Sequence, residues 1–200
     1  MAPGYCPGVI LYDSMIAPEA LNMIQGDLPV DHCELLFSIA RSLPSDSVVL
    51  DFGPGEGRSS IVLGMGLVDG VVVSVDPFTN PMSDSPVKES VLPIFMNHIH
   101  RFGAYNILPL VSGVGMIPKL FGKRCANLVV IQVPKHSGSI DGYLKLAFTV
   151  GLNALRTKGK IVAICPNDFV KQEMDAIAPS ILGNCLAKSY EFMRVYEPKE

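Results

Sequence analysis

Apolar positions along the chain fall into two rhythms. Short runs rich in Val and Ile read as strands: Val48 to Phe52, Val71 to Val75 closing in Asp76, Asn106 to Val111, Ala126 to Val133 and Lys160 to Cys165. The run holding Val129, Val130 and Ile131 suits a central strand buried on both faces. Between these runs apolar residues recur at three- and four-residue steps. Ile140, Tyr143, Leu144, Ala147, Val150, Gly151 and Ala154 form one such helix. Asp31 can cap another, through Leu35, Leu36, Ile39 and Ala40 to Leu43-Pro44. A helix follows the first strand, one runs from about Val87 to Arg101 with a kink at Pro93, one is capped by Asn167, and Pro18 to Ile24 makes a short one. Strand and helix alternate from Val48 to Cys165, which predicts an α/β fold: a parallel sheet with helices on both faces. Ala187 to Tyr196 alternates as one edge strand would, and Val9 to Tyr12 makes either a small strand or an arm over the site. Gly64 and Gly66 each weaken their helix by roughly 1 kcal/mol relative to alanine, and close packing against the sheet explains them.

Composition narrows the class. With 200 residues, 48% hydrophobic and 18% charged, the chain makes one domain with a sizeable core. A net charge of -3 and no long Lys/Arg run argue against a dedicated nucleic-acid binder; Lys119, Lys123 and Arg124 read as a solvated helix end. Cys6, Cys33, Cys125, Cys165 and Cys185 are far apart with no C-x-x-C pair, as reduced thiols in a reducing compartment would be. The start, Met1 to Pro7, lacks a basic n-region, and no segment approaches the ~20 apolar residues of a membrane span. A cytoplasmic protein without membrane association is expected. His98 and His100 are two apart, so on a helix they face different ways and do not pair on a metal.

The chemistry gathers where the first strand ends. Gly53, Gly55 and Gly57 separate that strand from a helix start, where the backbone passes through angles that a Cβ forbids and a ligand can touch bare backbone. Ser59 and Ser60 suit the N-cap region of that helix. Asp76 closes the second strand roughly 20 positions past the glycines, where an acid can grip ribose hydroxyls. Together they describe the nucleoside-binding half of an α/β sheet. In the dinucleotide fingerprint G-x-G-x-x-G the third glycine would stand at Arg58; here it comes one residue early, which disfavours a nicotinamide-dependent enzyme. Pro77 to Pro86, with three prolines, reads as a loop at the carboxyl end of the sheet.

Asp51-x-Gly53-x-Gly55-x-Gly57 resembles motif I of the S-adenosylmethionine-dependent methyltransferases with a Rossmann-like fold. With Gly57-Arg58-Ser59-Ser60, the Asp76-Pro77 pair and Lys135-His136, roughly Leu35 to Pro166 is similar to the small-molecule O-methyltransferase and "methyltransferase 24" branch. The resemblance implies a doubly wound, mostly parallel sheet with an antiparallel C-terminal edge strand. It divides the single domain, 1–200, into an N-terminal arm or lid (1–30), a cofactor-binding core (31–166) and a C-terminal helix and edge strand (167–200). It implies S-adenosyl-L-methionine as cofactor, with contacts at Asp51, Gly53, Pro54, Gly55, Glu56, Gly57, Ser59, Asp76, Pro77, Phe78, Ser112, Gly113, Val114 and Gln132. Metal-dependent members end the fourth strand in an aspartate and carry an Asp-Asn pair after the fifth. This chain has Gln132 and Cys165-Pro166 there, with Asn167-Asp168 about two residues late. A neutral amide is a poorer ligand than a carboxylate for a hard cation, so no catalytic metal is expected. Lys135 matches the subfamily's lysine base and His136 the histidine of the branch's Asp-Gly-x-His stretch. Of the two, His136 needs less adjustment to act as a base at neutral pH.

The leading reading is thus an S-adenosylmethionine-dependent methyltransferase acting on a small-molecule acceptor, through oxygen and without metal. The alternative is a non-catalytic methyltransferase-like binding protein, supported by Gln132. Apolar content and a C-terminal tail short for a full hairpin favour a homodimer over a monomer.

Overall fold

The computed structural model describes residues 18–26, 28–79, 89–133, 140–183 and 185–198. One seven-stranded sheet runs in the order β3-β2-β1-β4-β5-β7-β6. The strands are β1 (Ser47–Phe52), β2 (Gly70–Asp76), β3 (Ile107–Val111), β4 (Ala126–Gln132), β5 (Leu155–Ile164), β6 (Leu186–Ser189) and β7 (Met193–Tyr196). The first five are parallel; β7 runs antiparallel to both β5 and β6. The helices are α1 (Pro18–Asn22), α2 (Cys33–Arg41), α3 (Arg58–Gly66), α4 (Leu92–Phe102), α5 (Ile117–Leu120), α6 (Ile140–Ala154) and α7 (Asp168–Leu182).

Alternate strand residues feed two cores, which is why the strands read as unbroken apolar runs. Leu50, Phe52, Val129 and Ile131 join Leu144, Phe148 and Met174 of α6 and α7 on one face. Val49, Val72, Leu128 and Val130 join Leu36 of α2, Leu63 of α3 and Phe95 of α4 on the other. In α3, sandwiched between sheet and α2, Ile61, Val62 and Leu63 are all buried. Its glycines are there for contact. A Cβ on Gly64 would stand 2.9 Å from Ile107 Cγ1, against the sheet as expected, whereas one on Gly66 would stand 2.8 Å from Ala40 Cβ, against α2.

Several elements differ from the sequence reading. Residues 30–32 form a 3-10 turn and α2 begins only at Cys33, with His32 rather than Asp31 at the cap position. The helix expected from Val87 starts at Leu92, and Pro93 lies in its first turn, where a missing N–H costs nothing, so the proline opens the helix instead of kinking it. β5 begins five residues earlier than Lys160: Leu155 pairs with Ala126, the register breaks, and pairing resumes at Lys160. The expected edge strand Ala187 to Tyr196 is two strands, joined at residues 190–192 where the Tyr190 N–H donates to Met193 O at 2.8 Å. Four residues per strand complete the hairpin. It is fastened to α7 by buried Arg194, whose Nε and Nη2 each donate to an Asp175 carboxylate oxygen at 2.9 Å. The missing edge strand on which the expectation of a homodimer partly rested is therefore present.

On the opposite edge, Val72 N–H donates to Asn106 O and Ser112 N–H to Asp76 O, so even-numbered residues of β3 turn their amides to β2. Odd-numbered ones face outward, and the central one, Pro109, has no N–H to offer a further strand. No helix among the described residues is long and apolar enough to cross a membrane.

Candidate functional site

The chain leaves β1 while still paired, the Gly53 N–H donating to Val75 O at 3.0 Å, and reaches α3 through Gly53, Gly55 and Gly57, at φ +75°, +57° and +104°. The three glycines answer to different neighbours. A Cβ on Gly53 would lie 3.1 Å from Gln132 O and 3.6 Å from the Tyr143 hydroxyl; one on Gly57 would lie 2.8 Å from Cδ2 of the Phe95 ring. A Cβ on Gly55 would meet no described residue within 4 Å, and the same holds at Gly113, so among the described residues bare backbone borders open space at both places.

Beneath the turn lies a buried polar layer. Asp51, fully buried, accepts at Oδ2 from the hydroxyls of Ser59 and Ser60, both at 2.7 Å, and at Oδ1 from Gln132 Nε2 at 3.1 Å. Gln132 Nε2 also donates to Ser59 Oγ at 2.7 Å, and Ser60 Oγ lies 2.8 Å from Ser74 Oγ. Since Ser60 gives its proton to Asp51, Ser74 must donate to Ser60, and every hydroxyl has a consistent direction with Asp51 ionised. Burial nevertheless pushes the Asp51 carboxyl up to about 6, against the three side-chain hydrogen bonds that favour its charge. The N-cap residue of α3 is Gly57, with no side-chain cap; the serines expected there are turned inward onto Asp51 instead. Above this layer the Tyr143 hydroxyl, from the first turn of α6, donates to Gln132 O at 3.0 Å. Burial pushes its phenol well up, with Asp76 and Asp51 adding to the shift, so Tyr143 is a neutral donor.

Asp76 closes β2 beside the turn. Its Oδ1 accepts from the Phe78 N–H at 2.5 Å, and the Gly55 amide also bonds to the carboxylate. Burial raises its pKa while those two amides oppose the rise. Phe78 itself, at φ +51°, buries its ring edge-on to Phe95, 4.9 Å between centroids, so its side chain belongs to the core. Pro77 is exposed and Pro54 buried. Ser112, whose N–H donates to Asp76 O at 3.1 Å, and Gly113 follow β3 alongside, leading to buried Val114. The structure thus gathers the predicted residues of the glycine turn, Asp76, Ser112 to Val114 and Gln132 at one end of the sheet. Lys135, His136 and most of the Pro77 to Pro86 loop lie outside the described residues.

Two turn residues reach back to the N-terminal side. Arg58 donates from Nη1 to Leu28 O at 2.7 Å and from Nη2 to Ile24 O, and Glu56 Oε2 accepts from the Gln25 N–H at 3.2 Å. His98 meets Glu56 O through Nδ1 at 2.9 Å, while His100 stacks edge-on with Tyr105, so the two histidines do diverge. Sequence reasoning missed Ser60 and Ser74 as partners of Asp51, and Tyr143 altogether. Ser74 had a signal, a hydroxyl inside an otherwise apolar strand and in register with Asp51; Tyr143 had none, being one apolar position of an amphipathic helix.

This fold superposes on solved structures over most of the chain. The O-methyltransferase TomG from Streptomyces achromogenes, solved in complex with SAM, superposes with a TM-score of 0.65 at 16% identity over 91% of this chain and 90% of that one. The fold is that of the Rossmann-like methyltransferases. A SAM-dependent O-methyltransferase from Thermotoga maritima shares this methyltransferase fold (TM-score 0.62, 14% identity, 90% of this chain and 69% of that one). So does an rRNA methylase from Streptococcus thermophilus (0.61, 16%, 94% and 100%). No family model and no curated protein matches the sequence.

Proposed function

We propose that the chain is an S-adenosylmethionine-dependent methyltransferase that methylates an oxygen of a small molecule without a catalytic metal. The observation that carries the reading is the pairing of open backbone at Gly55 with the Asp76 carboxylate at the β1–β4 crossover, where open α/β sheets bind ligands. The Asp76 carboxylate would accept from the ribose hydroxyls, and the Ser112-Gly113 backbone would border the adenine. The cofactor supplies a methyl group on a sulfonium, and two carboxylates at this end, Asp51 and Asp76, give the field a sign that suits that cation.

Gln132 and Asn167 support a metal-free reaction by their present use. The Gln132 amide is bonded to Asp51 and Ser59, and the Asn167 side chain accepts from the Val170 N–H at 2.9 Å as the cap of α7. The chain's part is then to hold the acceptor oxygen in line and remove its proton, for which His136, with Lys135 as second choice, is placed by sequence position. A net charge of -3 favours a small acceptor over RNA, and the free thiols of Cys125, Cys165 and Cys185 support a cytoplasmic setting. The second reading, a non-catalytic binding protein, draws on the same Gln132, where metal-dependent relatives of this fold would need a carboxylate.

Calorimetry with S-adenosylmethionine and S-adenosylhomocysteine tests the site. Asp76→Ala should lose roughly 1.5–3 kcal/mol of binding, the worth of a charge-assisted hydrogen bond. No binding to the intact protein, or undiminished binding to the variant, would count against the assignment. Release of S-adenosylhomocysteine with a metabolite panel separates the enzyme from the binding protein, and an unchanged rate in chelator checks the metal.

A further inference from the structure

At the other end of the sheet, where β4 and β5 begin, lies a concavity of about 360 Å³ lined by Lys123, Arg124, Arg156 and Lys158, with Leu152 and Leu155 among its apolar residues. β4 spans seven residues, so this site stands on the order of 20 Å from the glycine turn at about 3.3 Å per residue. The sequence suggested a solvated helix end for Lys123 and Arg124; folding brings two further cations, more than thirty residues away, beside them. None of the four is paired with a carboxylate among the described residues, and the nearby Glu197 is taken by Lys160 at 2.9 Å. Among the described residues no acidic side chain lines the concavity.

The Arg156 side chain and the Arg124 backbone are held in place. Arg156 donates from Nη1 to Asn127 Oδ1 at 3.2 Å, and Asn127 Oδ1 also accepts from the Val48 N–H at 3.1 Å, which ties the guanidinium to β1. Arg156 Nε reaches Arg124 O at 3.4 Å, and the Arg124 N–H donates to Asn153 O at 3.0 Å, fixing the loop to the end of α6. Like charges gathered around one concavity repel, and an anion with several charges relieves all of them at once.

We propose that this concavity is a second ligand site, separate from the cofactor end, that binds an oligophosphate: the phosphate chain of a nucleotide or an inorganic one. Its volume falls in the range of small-molecule pockets, and four lining cations suit a ligand of several charges better than a single carboxylate.

Calorimetry with inorganic triphosphate and with ATP tests it. Triphosphate should bind the intact protein, more weakly as salt is raised. The Lys123→Gln/Lys158→Asn double variant, made at exposed positions, should bind at least tenfold more weakly with an unchanged thermal midpoint. Arg156→Lys, which keeps the charge but not the two-nitrogen anchoring, should weaken binding less. Asp76→Ala should bind triphosphate as the intact protein does, which keeps this site's outcome apart from that of the cofactor site. Equal binding of ATP and triphosphate would assign the chain of phosphates alone, and tighter ATP a nucleotide. Absence of binding by both, undiminished binding to the double variant, or binding of single-stranded RNA without triphosphate would overturn the proposal.

Discussion

At the carboxyl end of the sheet two buried or half-buried carboxylates are met by hydrogen bonds, from three side chains at Asp51 and two backbone amides at Asp76; at the amino end four exposed cations line a concavity with no carboxylate paired to them among the described residues. The first end is built into the fold: removing any one of its members leaves a buried partner unsatisfied. The second is built onto it, since Lys123 and Lys158 can change without disturbing the core. The proposed cofactor site is therefore inseparable from stability, whereas the proposed anion site can be altered apart from it.

The largest test of that contrast is Gly57→Ala. With φ +104° and a Cβ 2.8 Å from the fully buried Phe95 ring, unfolding in urea should show a loss of about 3 kcal/mol or more. A loss well below that would mean the turn can shift and the contrast is weaker than drawn.

Next comes the pH dependence of Asp51. Its folded pKa, about 6, exceeds the ordinary 3.8, so the native state binds the proton more tightly. That contribution is fully present below the unfolded value and is lost as pH rises through about 6. From pH 4 to pH 7 the intact protein should lose about 2 kcal/mol of unfolding free energy relative to Asp51→Asn, which does not titrate there. Parallel stability curves for the two proteins would show that Asp51 does not bear its burial as a charge.

Gly55→Ala sharpens the comparison within the turn itself. Nothing crowds a Cβ there, so the fold should lose only about 1 kcal/mol for a left-handed alanine, while S-adenosylhomocysteine affinity falls at least tenfold in calorimetry. At the amino end the smallest effect is expected: Lys158→Asn, at φ +62° where asparagine is more at ease, should change stability by about 0.5 kcal/mol or less in the same urea assay. A larger loss would show that this end, too, belongs to the core.

What the sequence disclosed follows the same division between local and assembled features. The glycine turn and Asp76 were legible because backbone angles and strand ends are written in consecutive residues. The Asn167 cap was legible for the same reason, and the structure bears it out at 2.9 Å. The polar layer was not, because Gln132 reaches Asp51 across 81 positions, and a lone glutamine at a strand end reads as a poor metal ligand or a cofactor contact, not as the partner of a buried carboxylate. The amino-end cations were hidden likewise, being two ordinary surface pairs until β4 and β5 set them side by side. Pro93 shows the remaining kind of error: proline marks a helix start as readily as a kink, and only the position of Leu92 decides between them. The C-terminal tail, short for a full hairpin, forms an abbreviated one, with two strands of four residues each.

The place of β1 between β2 and β4 sets an order on the making of the protein. β2 follows β1 closely in the chain, but β4 does not begin until Ala126. At about 5–20 residues per second, a ribosome takes roughly 4 to 15 s between Phe52 and Ala126, whereas small hairpins and collapsed clusters form in about 1–100 μs. Throughout that interval β1 presents a strand edge of Val49, Leu50 and Phe52 with nothing on its far side, and Pro109, which guards the finished sheet, stands at the other edge. The crossover between β1 and β4 is thus also the seam at which the nascent chain stays adhesive longest.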